Sequence, residues 1–362
     1  MTAGETIFVT GFPGFIARRL VQRLAQTGGK FLLLVQPALA SQAQADLQEI
    51  AGQAQKPLQD FQLLEGDISQ PDLGLSPFEL QTALSEVTLI FHLAALYDLA
   101  VAREPATLVN VTGTRNVNTL AQSARNLRHY HYVSTCYVAG KRRGRIRETD
   151  LKHDAGFRNY YEETKYLAET EVAGLKADLP ITIHRPSVVC GDSVSGETAK
   201  FDGIYYLINY LLKSPALFSI LNIGNREVKL NLVPVDFVVE SLAALAQDSR
   251  AVGKTLQLAD PNPLSTRELF DVIAEEITGH GSRMSLPPKL VHFSLMLPFS
   301  PAITGLPHSA VPYFFLDQTY DTTEATALLS PLGITCPAFP AYADRIIAFA
   351  ARDRANRRIA PL

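Results

Sequence analysis

Short apolar runs recur along the first two-thirds of this 362-residue chain, with helical patterns between most of them. The runs are Thr6–Thr10, Phe31–Val35, Gln62–Glu65, Leu89–Leu93, His129–Ser134 and Ile181–His184. Amphipathic segments such as Ile16–Ala25, Thr112–Ser123 and Tyr161–Lys176 lie between them. This alternation predicts a parallel sheet with helices on both faces. The expected fold class is α/β, a doubly wound Rossmann-type sheet. The stretch Ala38–Lys56 is rich in Gln and Ala and reads as an exposed helix and loop. After Gly191 the alternation fades, and Asn231–Val235 and Thr255–Leu258 read as late strands returning to the sheet.

The first strand runs into Gly11-Phe12-Pro13-Gly14-Phe15-Ile16-Ala17, a Gly-x-x-Gly-x-x-Ala turn that opens a helix. A strand-to-helix turn without side chains lets backbone approach a pyrophosphate, and the helix N-terminus supplies N–H groups and partial positive charge. Such a turn alone is a weak signal. The second apolar run, at βαβ spacing, strengthens it. Residues 1–190, completed by about 230–260, then form a dinucleotide-binding domain. Residues 191–229 and 261–362 form a smaller, mainly helical substrate lobe over the strand ends, where ligands bind in such sheets.

Tyr161 and Lys165 stand four apart, so they share one helix face. A phenol has an ordinary pKa of about 10, too high for easy proton exchange at neutral pH. An ammonium one turn away favours the phenolate and can bond a nicotinamide ribose. The run His129–Thr135 ends in two hydroxyls, and Thr135 is preferred to Ser134 as donor to a developing oxyanion. The bland reading of Tyr161 and Lys165 is a pair of helix-surface residues.

Bulk composition narrows the classes. The formal net charge of −3 gives no argument for nucleic acid. Cys136, Cys190 and Cys336 form neither a disulfide framework nor a zinc pattern, which fits a reducing, cytoplasmic setting. A strand beginning near residue 6 leaves no room for a signal peptide. The longest apolar candidate, 290–316, is broken by Pro298, Pro301, Pro307 and Pro312, so no spanning helix is expected. His129 and His131 share a strand face without acidic or cysteine partners nearby in sequence, and no metal site is expected. Cys136, beside Thr135, reads as a small buried residue rather than an acyl-accepting nucleophile.

Taken as a set, the motifs resemble the extended short-chain dehydrogenase/reductases. Within these they resemble the reductase domain of bacterial alcohol-forming fatty acyl-CoA reductases. The likeness rests on His92-Leu93-Ala94-Ala95, Asn110-Val111-Thr112-Gly113-Thr114, Arg185-Pro186-Ser187-Val188-Val189, Gly191–Glu197, Phe201–Tyr206, Val233–Val239 and Asp260–Leu264. It runs from about residue 6 to about 265. The resemblance implies Thr135, Tyr161 and Lys165 as catalytic residues. Asn110 would support them through a helix irregularity or a water. Gly11, Phe12, Pro13, Gly14, Phe15 and Ile16 would form the cofactor turn. Asp67 and Ile68 would meet the adenine, and Leu93, Ala94 and Ala95 would line the cleft. Pro186, Ser187 and Val188 would pack on the nicotinamide side. It also implies a homodimer through the helices 112–123 and 161–176.

Two departures stand out. Gln36 occupies the place after the second strand where the family often has an arginine for the 2′-phosphate of NADP. Resemblance favours NADP(H), Gln36 leaves NAD(H) open, and Arg18 or Arg19 would have to compensate. Some alcohol-forming relatives carry a second large domain, absent from these 362 residues, which leaves open whether reduction stops at the aldehyde.

The function expected is NAD(P)H-dependent reduction of a fatty acyl thioester, on coenzyme A or an acyl carrier protein, or of a fatty aldehyde. The alternatives are a ketone reductase or 3-hydroxy dehydrogenase acting on a sterol or β-keto lipid, a nucleotide-sugar epimerase, and a non-catalytic NAD(P)-binding sensor. The basic run Lys141–Arg147 reads as a solvated loop, or as a docking patch for coenzyme A phosphates or an acidic carrier protein. The aromatic-rich segment 286–316 reads as lobe core, or as an apolar lid over an acyl chain that touches a membrane. The basic tail Arg352–Arg358 reads as a helix end.

Overall fold

The computed structural model describes residues 4–359. Seven strands form the central sheet: β1 (Thr6–Thr10), β2 (Lys30–Val35), β3 (Phe61–Glu65), β4 (Leu89–His92), β5 (His129–Val133), β6 (Ile181–Pro186) and β7 (Thr255–Leu258). Their order across the sheet is β3-β2-β1-β4-β5-β6-β7. Every neighbouring pair is parallel. The chain winds outward in both directions from β1 and β4, so a crevice opens between their C-terminal ends.

The helices that matter below are α1 (Phe15–Ala25), α2 (Ala40–Ala54), α3 (Pro77–Glu86), α4 (Gly113–Ser123), α5 (Tyr160–Gly174), α6 (Ile204–Lys213), α7 (Val235–Leu245), α8 (Thr266–Thr278), α9 (Pro288–Leu295) and α10 (Ala343–Ile359). Apolar residues of α1, α2 and α7 cover one sheet face, and those of α3, α4 and α5 cover the other. A third cluster joins α6, α8 and α10. Residues 360–362 of the expected lobe lie outside the described residues. Among the described residues no helix is long and apolar enough to cross a membrane.

Three expectations need correction. The Gln- and Ala-rich stretch is not simply exposed, because α2 buries Ala43, Leu47, Ile50 and Ala51 against the sheet. Of the two late strands, only Thr255–Leu258 enters the main sheet. It takes the open edge of β6, so Leu232–Pro234 pairs instead with Val188–Cys190 in a separate two-stranded ladder. The basic run is not a plain loop either. Gly144–Ile146 pairs with Gln318–Tyr320, Arg145 bridges to Asp321 at 2.8 Å, and Arg142 donates to the Ala139 and Asp150 carbonyls.

β5 explains how the site is sorted. Its sequence His-Tyr-His-Tyr-Val alternates across the pleat. Tyr130 and Tyr132 join the α4–α5 cluster, whereas Val133, of the same parity as the histidines, joins the α1–α7 cluster. On that histidine face His131 Nδ1 meets His184 Nε2 at 3.0 Å, and His129 Nε2 meets Thr182 Oγ1 at 2.7 Å. His131 Nε2 and His184 Nδ1 are buried with no hydrogen-bond partner.

Burial holds these rings neutral. It pushes His184 down to about 3 and His129 to about 4, each helped by neighbouring positive charge, and takes His131 well below its ordinary range. Their folded values lie below the unfolded value of about 6.5. The unfolded chain therefore gains protons below that pH while the folded chain does not, and stability falls as pH drops from about 6.5 toward 4. Each ring contributes up to about 1.4 kcal/mol per pH unit in that window. Thermal midpoints across pH 7 to 4 should show this decline; a midpoint flat to pH 5 would contradict it.

Candidate active site

The glycine turn lies directly against the end of β4. Gly11 has φ +90°, and a Cβ there would sit 2.8 Å from the Ala94 nitrogen. A Cβ on Gly14 would sit 2.6 Å from the Gly11 carbonyl, whose oxygen accepts from the Gly14 N–H at 2.7 Å. Both positions need glycine, and Leu93 and Ala94 are brought to the turn's edge. Phe12 and Pro13 are buried beneath it, while Gly14 is exposed and Phe15 and Ile16 are half-buried. No side chain caps the N-terminus of α1. Bare backbone donors beside a cradle that a Cβ would fill suit a pyrophosphate.

Gln36 and Asp67 follow the C-terminal ends of β2 and β3. Gln36 Nε2 donates to Asp67 Oδ2 at 2.9 Å, and Ser69 N donates to Asp67 Oδ1 at 2.8 Å. Partial burial raises the Asp67 carboxyl, but these hydrogen bonds outweigh it and hold Asp67 below its usual range. Ile68 is buried against Gly113, where a Cβ would meet its side chain at 2.6 Å. Ala95 is exposed. Pro186 closes β6, the Ser187 hydroxyl donates to Asn231 at 2.7 Å, and Val188 begins the ladder with Leu232. The turn, the strand-end residues Gln36 and Asp67 and the segment 186–188 thus come from separate elements at the C-terminal edge of one sheet.

Helix α5 carries Tyr161 and Lys165, capped by Asn159, whose side chain accepts from the Glu162 N–H at 3.0 Å. Thr135 follows β5, and its side chain lies near enough to the Tyr161 phenol to favour the ionised form. Ser134 instead donates to Glu169 Oε2 at 2.5 Å. Tyr161 is buried, and burial outweighs the effect of Thr135 to hold its phenol above the ordinary range. Tyr97 meets the Tyr161 ring edge-on at 5.0 Å.

The ammonium of Lys165 is directed elsewhere than expected from its position on the helix. It donates to Tyr132 Oη at 3.1 Å and to the Val133 carbonyl at 2.9 Å. These two strand acceptors lie under the helix and satisfy the charge. Burial brings Lys165 down to about 8, with the Glu169 charge opposing. A second run of bonds lies against Tyr132. The His92 ring packs on Tyr132 with centroids 5.5 Å apart, Thr114 Oγ1 meets His92 Nε2 at 3.0 Å, and His92 Nδ1 meets Thr10 Oγ1 at 2.7 Å. Thr10 Oγ1 accepts from the Ala94 N–H at 3.1 Å. All of the side chains in this run are buried. Sequence reasoning missed Tyr132, Thr114 and His92 as supports of Lys165, although the alternation of β5 places Tyr132 on the face toward α5.

Asn110 sits in a π-helical turn, Thr107–Thr112, leading into α4. Its Oδ1 accepts from Leu96 N at 2.7 Å, and its Nδ2 donates to Leu96 O at 3.2 Å and Thr164 Oγ1 at 3.0 Å. It thereby pins the loop after β4 to the helix carrying Tyr161. The Cys136 thiol is buried, donates to the Arg185 carbonyl at 3.1 Å, and is pushed up by burial, so it is no ready nucleophile.

A family model described as male sterility protein, an NAD-binding class, matches residues 9–242. The chain belongs to this family. It is an NAD(P)-dependent oxidoreductase of the extended short-chain dehydrogenase/reductase type. It is similar to the fatty acyl-CoA reductase wat of Drosophila melanogaster, 25% identical over 278 residues, which cover 67% of this chain and 54% of that one. The chain spans about half the length of the curated relatives it matches. In fold it is similar to the terminal R domain from the myxalamid PKS-NRPS biosynthetic pathway (TM-score 0.82, 23% identity, covering 98% of this chain and 92% of that one). It is also similar to the UDP-glucuronic acid 4-epimerase of Bacillus cereus (TM-score 0.66, 18% identity, 98% and 99% covered). At these identities the likeness concerns the fold, which therefore does not choose between the two chemistries.

The bond from Lys165 to Tyr132 yields a prediction. With its pKa lowered to about 8, Lys165 is charged below that pH and neutral above it. If the ammonium is needed, kcat/KM falls on the alkaline side near pH 8. Tyr132→Phe removes an acceptor from the charged form, so the limb moves to lower pH and kcat/KM drops roughly tenfold. A limb that stays in place while only the thermal midpoint changes would leave Tyr132 a merely structural residue.

Proposed function

We propose that the chain reduces an acyl thioester, or the aldehyde derived from it, whose acyl part is long and apolar. The observation that carries this reading is an apolar cleft in the lobe. Tyr97 packs edge-on against the Tyr161 ring, and Tyr206 of α6 lines the cleft. Leu207, Tyr210, Ile223, Phe270, Leu295, Leu306, Phe314 and Phe315 wall it.

Bound NAD(P)H would supply a hydride to the carbonyl carbon. The residues of the chain would do the rest. Thr135 and Tyr161 hold the oxygen as negative charge develops, and Tyr161 gives it a proton. Lys165 keeps positive charge beneath the site. A thioester yields a hemithioacetal, whose C–S bond breaks to release aldehyde and thiol. The apolar walls hold the chain and exclude water. The thioester carrier in this reading is coenzyme A or an acyl carrier protein, and the exposed Lys141, Arg143 and Arg147 are the cations placed to meet its acidic groups.

A lipid surface fits the neighbouring face. Leu290, Phe293, Met296, Phe299 and Ile303 are exposed, and residues 277–316 contain Arg283 and Lys289 but no Asp or Glu. Apolar tips with cations and no anions suit an anionic bilayer interface. Co-sedimentation with vesicles containing phosphatidylglycerol should be lost in the double variant F293S/F299S; equal sedimentation of both proteins would remove this contact.

The deciding assay follows NADH and NADPH oxidation at 340 nm with palmitoyl-CoA, hexadecanal and a β-keto lipid. Oxidation on the thioester or aldehyde, reduced at least about 100-fold by Tyr161→Phe, is expected. Activity confined to the ketone would move the chain to the ketone-reductase alternative. Ile223→Trp, by displacing about two methylenes from the cleft, should raise KM for hexadecanal roughly tenfold and leave butanal unchanged.

A further inference from the structure

We propose that this chain selects the cofactor lacking a 2′-phosphate, NAD(H), with Gln36 and Asp67 as the selecting residues. The proposal rests on the reading that the glycine turn holds a nicotinamide dinucleotide. In such sheets the adenosine ribose lies off the end of the second strand, about 20 residues beyond the turn, where an acid or an arginine decides between the two cofactors. Gln36 stands there, joined to Asp67.

A 2′-phosphate carries about −1.5 to −2 charge at neutral pH and needs a cation. This half of the crevice offers none. From Phe31 to Ala102 the sequence contains nine Asp and Glu and a single basic residue, Lys56. Lys56 is paired with Asp60 at 3.0 Å. The arginines of α1 are committed as well. Arg18 bridges Asp46 at 3.0 Å and Glu49 at 2.6 Å, and Arg19 bridges Asp192 at 3.1 Å and Glu197 at 2.7 Å. Either arginine could reach a phosphate only by leaving two carboxylates behind. The Asp67 carboxylate, bonded to Gln36 Nε2 at 2.9 Å, leaves a negative charge beside the place the phosphate would take. A ribose 2′-hydroxyl suits the same place, since Asp67 and the Gln36 carbonyl are both acceptors.

The test is direct binding, without turnover, by titrating the fluorescence of NADH and of NADPH against the full chain at fixed ionic strength. NADH should bind at least about tenfold more tightly. Gln36→Arg should raise NADPH affinity about tenfold with an unchanged thermal midpoint, and Arg18→Ala should leave the ratio of the two affinities as it was. NADPH binding as tight as NADH in the unaltered chain would overturn the selectivity. So would a loss of NADPH affinity alone in Arg18→Ala, which would show Arg18 swinging to the phosphate. Binding of neither cofactor would remove the dinucleotide reading itself, and the proposal with it.

Discussion

The placement of Tyr161 and Lys165 depends on a charge pair one turn beyond Lys165 on their helix. Glu169 is wholly buried, and Arg185 of β6 meets it with Nη2 at 2.5 Å and Nε at 2.9 Å. Ser134 donates to the same carboxylate, and Arg185 Nη1 reaches the carbonyls of Glu148 and Asp150. Helix, two strand ends and the segment after the basic run are therefore tied to one point. Breaking a buried pair by removing one partner costs about 3–5 kcal/mol, because the other charge stays behind unpaired. The pair thus fixes the height of α5 over the strand ends. That height brings the Tyr161 phenol to Thr135 and Lys165 to Tyr132.

The same pair sets the electrical character of the site. Glu169 lies one turn beyond Lys165, and its charge is what opposes the burial that lowers the ammonium. A buried run of side chains then leads from Lys165 to Thr10, at the lip of the glycine turn: Lys165 bonds Tyr132, the Tyr132 ring packs on His92, and His92 bonds Thr10. The two ends of the crevice are thereby joined through side chains of β1, β4 and β5. A network of this kind is worth most when every member is satisfied. His92, bonded at both ring nitrogens, meets that requirement, whereas His131 and His184 on the opposite sheet face do not.

Much of this arrangement was legible in the sequence, for reasons that can be named. The strands of the main sheet are local apolar runs, and their limits fell within two residues of expectation. Gly11 and Gly14 could be placed because a tight turn demands them. Tyr161 and Lys165 could be placed together because a helix brings i and i+4 to one face. What escaped was non-local. That Lys165 would prefer Tyr132 depends on which strand lies beneath α5. That Arg18 and Arg19 would be engaged depends on carboxylates of α2 and of residues 192–197. The edge of β6 was taken by Thr255–Leu258 rather than by residues 231–235, and no local pattern separates those two apolar runs.

The lobe, more than the sheet, carries the argument about substrate. A terminal R domain and a sugar-nucleotide epimerase share this sheet, so the sheet can supply only the cofactor crevice and the Tyr–Lys helix. An epimerase's sugar nucleotide carries a diphosphate, and a diphosphate held away from water needs cations or a row of N–H donors. The walls of the lobe's cleft contain no charged side chain; their polar members are hydroxyls of Tyr206, Tyr210, Thr266 and Thr304. Placing a diphosphate there would strip its water and return nothing of comparable strength. An alkyl chain in the same space gives about 0.8 kcal/mol for each methylene removed from water. In the proposed reading the cost of ordering such a substrate is met by its inert end, which would leave Thr135, Tyr161 and Lys165 to act on the carbonyl.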